Sequence, residues 1–335
     1  MQEKKKPRPL RILLRIFCVL LGLILLAAAI LFVIPLTETV SVKRAEGSAD
    51  WMARLEDGLG LHEIVIPGTH DSATQYSQLA FITKCQSLSV AEQLEAGYRY
   101  LDIRLGFADS GALKLMHGFT SCRKGPMPWA ETLYLRDVLD QCGAFLAAHP
   151  TETVIFAVKY ERVTEPVERF ETRLVDELKS LGDALLLTDA IPTLGEARGK
   201  LVLTRRYKDE AGLGAEAGIP MRWREQDEQE LPFGCAEDIQ QSSYLLKVQD
   251  HFSLGTEEKW DCFRGGLREA GADPESLSIH FLSTKGTAKY GHPYHYAKAL
   301  NPRLLQLPSE ELRGWIVVDF ADAALAEHIW SSNFQ

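Results

Sequence analysis

"IVIPGTHDSATQY" (64–76) is the stretch on which the reading of this chain turns. The β-branched run Ile64, Val65, Ile66 enters the turn signal Pro67-Gly68, and His70 and Asp71 follow at once. A buried-looking strand delivers an imidazole and a carboxylate to its own C-terminal end. One such pair means little, so the question becomes whether other strands deliver chemistry to the same place.

Working outward, seven further short β-rich runs appear at 99–105, 113–117, 153–160, 200–207, 243–250, 278–283 and 314–320, with the first strand taken as 62–66. Amphipathic segments such as 89–98, 130–149 and 165–186 separate several of them. Strand alternating with helix implies parallel strands joined by right-handed crossovers. Eight such strands over 51–335 predict an α/β fold, a distorted (β/α)8 TIM barrel; the Gly-rich nucleotide turn of an open doubly wound sheet is missing after strand one. The stretch 77–84, "SQLAFITK", reads equally well as an interfacial element or as a helix packing inward.

Polar residues fall at the strand ends. His70 and Asp71 follow the first strand, Asp102 and Arg104 lie in the second, and His117 ends the third. Lys159, Arg206, Asp250 and Asp319 lie near the ends of the fourth, fifth, sixth and eighth. Barrel enzymes gather their chemistry at that face. Two imidazoles can act as base and acid near neutral pH, an arginine offers a fork of donors to phosphate oxygens, and aspartates can orient each imidazole. The set fits acid–base cleavage of a phosphodiester. No GxSxG or HExxH occurs, so serine-hydrolase and zinc-protease chemistry have no support.

The N-terminus has a different character. Residues 1–15 carry Lys4, Lys5, Lys6, Arg8, Arg11 and Arg15 against Glu3, a basic tail expected to be cytoplasmic. Residues 16–36 hold no charge and would span roughly 30 Å as a helix, which predicts a single-pass transmembrane anchor; a cleaved secretory signal is the alternative. Residues 37–50 read as a polar linker, and 51–335 as an extracytoplasmic catalytic domain, secreted if the first segment is removed. The whole chain carries −9 despite its basic start, which argues against nucleic-acid partners. Of six cysteines, five lie in the body with no CxxC spacing, so a structural zinc site is not expected and disulfide pairing stays open.

The motifs "IPGTHDS", "LDIRL", "MHG", "ETVIFAVKYE", "EARGKLVLTRRY", "KVQD" and "GWIVVDF", in that order, resemble bacterial phosphatidylinositol-specific phospholipase C from about Leu59 to Asp322. The resemblance implies a distorted barrel that cleaves phosphatidylinositol, a membrane lipid, to diacylglycerol and 1,2-cyclic inositol phosphate; a monomer is expected. It implies His70 as general base oriented by Asp319, His117 as general acid aided by Asp71, and Arg104 as phosphate clamp with Asp102 beside it. Lys159, Arg206, Asp250 and Phe252 would bind the headgroup, with Glu161 a further candidate. Calcium-dependent relatives hold a cation where Arg104 sits, so no metal or other cofactor is expected. Phe252 stands where the family has a tyrosine, and Lys289-Tyr290 where it has an exposed tryptophan. Alternatives are a phosphodiesterase acting on glycosylphosphatidylinositol anchors or another headgroup, and a lipid-binding barrel without turnover.

Overall fold

Strand β1 (Ile66–Thr69) lies in parallel register between β2 (Tyr100–Phe107) and β12 (Trp315–Val318), so the first and last strands of the barrel are neighbours. The computed structural model describes residues 9–228, 230–231, 234–241, 243–273 and 275–335. From β2 the sheet continues through β5 (Val154–Arg162) to β7 (Leu201–Arg205). Two short strands, β6 (Leu185–Leu186) and β8 (Ile219–Pro220), share the far edge of β7. From β12 it continues through β11 (Leu277–Phe281) and β10 (Leu245–Gln249) to an antiparallel edge strand, β9 (Glu237–Gln240).

Two expectations are corrected here. The run 113–117 is a strand, β3 (Leu113–His117), but it is antiparallel to β2 and also pairs with β4 (Thr120–Ser121). The turn Ala108–Ala112, with Gly111 at φ 81°, is too short for a helical crossover, so the chain folds back as a hairpin. The first strand begins at Ile66 rather than at His62, because residues 61–63 form a 3-10 turn tied by Glu63 Oε2 to the Gly60 N–H at 2.6 Å. The result is a curled, TIM-barrel-like α/β sheet that does not close: among the described residues no ladder joins β8 to β10. Gln226 partly bridges that seam, accepting from the Asp250 N–H at 2.7 Å through its side chain and donating to the Val248 carbonyl at 3.3 Å.

The helices α3 (Val90–Glu95), α4 (Leu135–Ala148), α5 (Val167–Leu178), α7 (Thr256–Gly271), α8 (Pro293–Leu304) and α9 (Ala323–Ser331) cover the sheet, with the single turns α2 (Ala80–Thr83) and α6 (Leu194–Ala197) between them; α1 (Pro9–Ala28) precedes the barrel. On β2, Leu101, Ile103 and Leu105 pack outward with Leu139 of α4 and Phe170 of α5, whereas Tyr100 belongs to the interior core with Ile155, Val202 and Trp315. The two-residue period then puts Asp102 and Arg104 on the inner face above Tyr100. The same period lifts Lys159 and Glu161 above Ala157, Arg206 above Val202, and Asp250 above Val248. Apolar residues fill the barrel floor and ionisable ones crown it.

Below that floor, Arg99 and Glu152 form a fully buried pair, with Arg99 Nη2 and Nε donating to Glu152 Oε2 at 2.8 and 2.9 Å. They lie one residue before β2 and two before β5 and brace the adjoining strand starts.

The helix α1 starts at Pro9, inside the stretch read as tail, and the helical path continues to Thr37; Arg11–Thr37 is long and apolar enough to cross a membrane by length and composition. Residues 1–8 of the basic tail lie outside the described residues. Within the segment 37–50, read as a polar linker, Glu38 is only 2% exposed, and Lys84 Nζ donates to the carbonyls of Pro35 and Glu38 at 2.7 and 3.0 Å. All six cysteines are unpaired thiols.

Candidate active site

Two backbone irregularities set the mouth of the barrel. Asp71 has φ 44° and Phe320 φ 47°, left-handed values that L-residues reach at a cost of about 1–2 kcal/mol. Each follows a key side chain, His70 or Asp319, at the point where its strand ends. The Asp71 N–H donates to Asp102 Oδ2 at 3.1 Å, and the Phe320 N–H to the Cys85 carbonyl at 2.6 Å. Gln86 ties both ends together, donating to the carbonyls of His70 and Val318 and accepting from Ala321. The local strain is held by these bonds and keeps both side chains turned into the mouth.

Asp319 Oδ1 accepts from His70 Nδ1 at 2.7 Å. On the other side of the ring, Arg104 Nη2 lies 2.7 Å from His70 Nε2. Because a guanidinium only donates, this arrangement requires a lone pair on Nε2, the tautomer a general base needs. Burial lowers the His70 pKa most, and Arg104 also lowers it, but Asp319 and Asp71 outweigh both and leave it raised.

Arg104 is the hub. It lies 3.1 Å from Asp102, 3.2 Å from Asp71 and 3.4 Å from Glu161. Burial raises the Asp102 carboxyl, but Arg104 and Arg206 overcome it and hold Asp102 at about 2. Asp71 goes the other way, raised by burial despite Arg104 and both histidines. His117 stands across from His70, with ring centres 6.3 Å apart. Its Nδ1 donates to the Thr83 carbonyl at 2.8 Å, leaving Nε2 3.5 Å from Asp71 Oδ2, which is also 3.4 Å from His70 Nε2. Asp71 therefore sits between the two imidazoles.

The cavity above these groups has a volume of about 300 Å³, enough for a small polar headgroup. His70, Arg104, His117, Lys159, Arg206, Asp250, Phe252 and Asp319 line it, and the buried Asp71 and Asp102 support it from below. These ten residues singled out in the sequence thus come to one place, and Glu161, the further candidate, lines the same cavity. Arg206 lies 3.5 Å from Asp250, Lys159 bridges Glu161 at 3.2 Å and Glu225 at 2.7 Å, and Lys285 stands over the Phe252 ring at 5.2 Å.

Other contributors were not foreseen. Trp223 donates to Asp250 at 2.9 Å and carries the Arg206 guanidinium 3.7 Å above its ring. Trp223 and Glu225 come from irregular chain after β8, where no strand-end pattern marks them. Cys85 lies 3.8 Å from His117 Nδ1, but burial pushes its thiol well up, away from thiolate chemistry. Ligand-type atoms of His70, Asp71 and Asp102 lie within 4.8 Å of one another, as do two sets including Cys85. The Arg104 guanidinium already stands within contact of all three members of the first set.

A barrel crowned by two histidines, a central arginine and supporting aspartates defines a phosphodiester-cleaving type of site. The comparisons make that more particular. Residues 61–207 match the family model for phosphatidylinositol-specific phospholipase C, X domain. The chain is 27% identical over 291 residues to 1-phosphatidylinositol phosphodiesterase of Staphylococcus aureus (strain Newman), covering 81% of this chain and 88% of the relative. It is 26% identical over 309 residues to the enzyme of the same name from Listeria monocytogenes, covering 87% of each. Among solved structures, phosphatidylinositol-specific phospholipase C of S. aureus superposes with a TM-score of 0.69 at 24% identity, covering 85% of this chain and 97% of that one. The L. monocytogenes enzyme gives 0.62 at 22% identity, covering 85% and 98%. These two likenesses establish the TIM-barrel-like fold.

Proposed function

We propose that this chain is a phosphatidylinositol-specific phospholipase C that needs no metal ion. The carrying observation is the bonding of His70, with Asp319 on Nδ1 and a donor from Arg104 on Nε2, each at 2.7 Å. His70 takes the proton of the inositol 2-hydroxyl, which attacks phosphorus. Arg104 shifts its donors from His70 to the phosphate oxygens and stabilises the charge that develops there. His117 protonates the departing diacylglycerol oxygen, and Asp71 steadies the imidazolium beforehand. The product is 1,2-cyclic inositol phosphate. The positive charge that a calcium ion would bring is supplied by Arg104, whose guanidinium is held by Asp71, Asp102 and Glu161. Lys159, Arg206 and Asp250 address the inositol hydroxyls, and Phe252 offers its ring to the sugar face.

The apolar helix ending at Thr37 supports a single-pass anchor, with the basic N-terminus in the cytoplasm and the barrel, a monomer, outside. A second reading, in which a glycosylphosphatidylinositol or another headgroup is cleaved, is favoured by Phe252, which lacks the hydroxyl a tyrosine would bring to inositol.

Phosphorus NMR of the detergent-solubilised full chain with phosphatidylinositol in mixed micelles and excess EDTA tests this. A cyclic inositol phosphate signal is the expected result. Activity that appears only after calcium is added refutes the role given to Arg104, and no product with or without calcium removes phosphatidylinositol as substrate.

A further inference from the structure

We propose that residues 35–42 are a strap that clamps the mouth of the barrel against the membrane crossed by the chain's own apolar helix, so that the site works on lipid of that same membrane. This rests on the anchored phospholipase reading above.

The strap is bonded to both rims of the mouth. One rim is α2 and the residues after it. Lys84 Nζ donates to the carbonyls of Pro35 and Glu38, and the Ser87 hydroxyl also donates to the Glu38 carbonyl. The other rim is the loop leading into α8, where Tyr290, Gly291 and Pro293 line the reactive cavity. There His292 places Nε2 3.0 Å from the buried Glu38 carboxylate and Nδ1 2.6 Å from the Phe81 carbonyl, and its ring stacks on Phe81 at 4.1 Å. One ring nitrogen is bonded to the Phe81 carbonyl and the other stands at ion-pair distance from the Glu38 carboxylate. The strap thus joins α2 to α8 across the edge of the site. It also reaches the chemistry, because the turn it grips carries the Thr83 carbonyl that orients His117.

Chain length removes the freedom a tether would otherwise have. Leu36 ends the uncharged span and Glu38 is fixed to the barrel two residues on, a reach of at most about 7 Å. The mouth cannot swing away from the bilayer surface. The face presented there suits lipid: Phe119 and Tyr290, 56% and 57% exposed, stand edge to face with ring centres 6.5 Å apart. Phe119 lines both the reactive cavity and a largely apolar cleft of about 630 Å³ bounded by Pro35, Leu36 and Val40 of the strap. Phe119 therefore stands between the cleft at the end of the membrane helix and the reactive cavity.

The test reconstitutes the full chain in phosphatidylcholine vesicles. Phosphatidylinositol is placed either in the same vesicles or in a second, protein-free population at equal total concentration. The same-vesicle rate is expected to stay constant on about tenfold dilution and to exceed the mixed-population rate at least ~10-fold, because tethering fixes the local lipid concentration. Equal rates in the two arrangements, or a same-vesicle rate that falls with dilution, overturn the proposal. A flexible Gly/Ser insertion of about twelve residues after Thr37 should raise the mixed-population rate at least ~5-fold by freeing the mouth. It should leave micellar activity of the solubilised chain unchanged, and an unaltered mixed-population rate also overturns the strap. Absence of micellar activity in the parent chain defeats the phospholipase reading and the strap with it; micellar activity without same-vesicle preference defeats the strap alone.

Discussion

Arg104 Nη2 stands 2.7 Å from His70 Nε2, a cation donating to the nitrogen proposed to accept the substrate proton. The contact keeps the base in its working form and leaves the guanidinium next to where phosphate would sit. Arg104→Lys keeps a positive charge but loses the fork. It is expected to lower kcat about 100-fold with little change in KM, since the lost donors act on charge that develops during reaction. Steady-state kinetics on mixed micelles checks this.

His117→Ala removes the proposed acid. Turnover is expected to fall about 100-fold or more, while sedimentation with phosphatidylinositol vesicles stays at the parent level. Loss of vesicle binding in step with turnover would mean that the variant is misfolded or that His117 binds rather than reacts.

Asp319→Asn deletes the charge that, with Asp71, holds the His70 pKa up against burial. The acid limb of the kcat/KM profile is expected to move to lower pH, because the base then loses its proton more easily. The plateau should drop as the tautomer is less firmly held. The linkage follows the same sign: the raised folded pKa means the stability supplied by His70 is complete below its ordinary value of 6.5 and is lost as pH rises through the folded value. Asp319→Asn should flatten that part of the urea-stability profile.

The His292 pKa is also raised: burial lowers it, but the Glu38 bond, the Phe81 carbonyl and the Glu38 charge outweigh burial. The strap's grip is therefore complete below pH 6.5 and weakens as pH rises through the folded value. Hydrogen exchange of residues 35–42 should accelerate over that rise beyond its intrinsic pH dependence. His292→Phe, which keeps the stack on Phe81, should abolish the extra acceleration.

Glu152→Ala leaves the fully buried Arg99 without its carboxylate. A loss of about 3–5 kcal/mol is expected by urea unfolding, the usual cost of stranding one member of a buried pair.

Phe252→Tyr restores a hydroxyl at the rim of the headgroup cavity. One added hydrogen bond worth about 1 kcal/mol should raise kcat/KM for phosphatidylinositol roughly 5-fold. A fall instead would favour a headgroup for which the bare ring is the better fit.

The alternation of residues along the strands made most of the site legible. Asp102 and Arg104 two apart on β2, or Val248 on β10 and Asp250 just past its end, had to share a face, whatever the rest of the chain did. The third strand misled because a run such as "LKLMH" carries no mark of its direction. Only the five-residue turn Ala108–Ala112 makes it antiparallel, and there it still brings His117 to the cluster. The anchoring of Glu38 was not legible for a related reason: nothing local to it announces that His292 and Lys84 wait for it from far along the chain.

By itself, the sequence determined which side chains could share a face, where an apolar span of membrane length lies, and which proton-transfer groups are present, because these follow from backbone period and composition. Tertiary structure alone decided that Arg104 faces Nε2 of His70 while Asp319 holds Nδ1, that Asp71 lies between the two imidazoles, and that Trp223, Glu225 and Glu38 join the edifice. Those relations depend on how strands and loops distant in sequence are brought into register, and on burial and neighbouring charge acting over a few ångströms, which no local pattern of residues encodes.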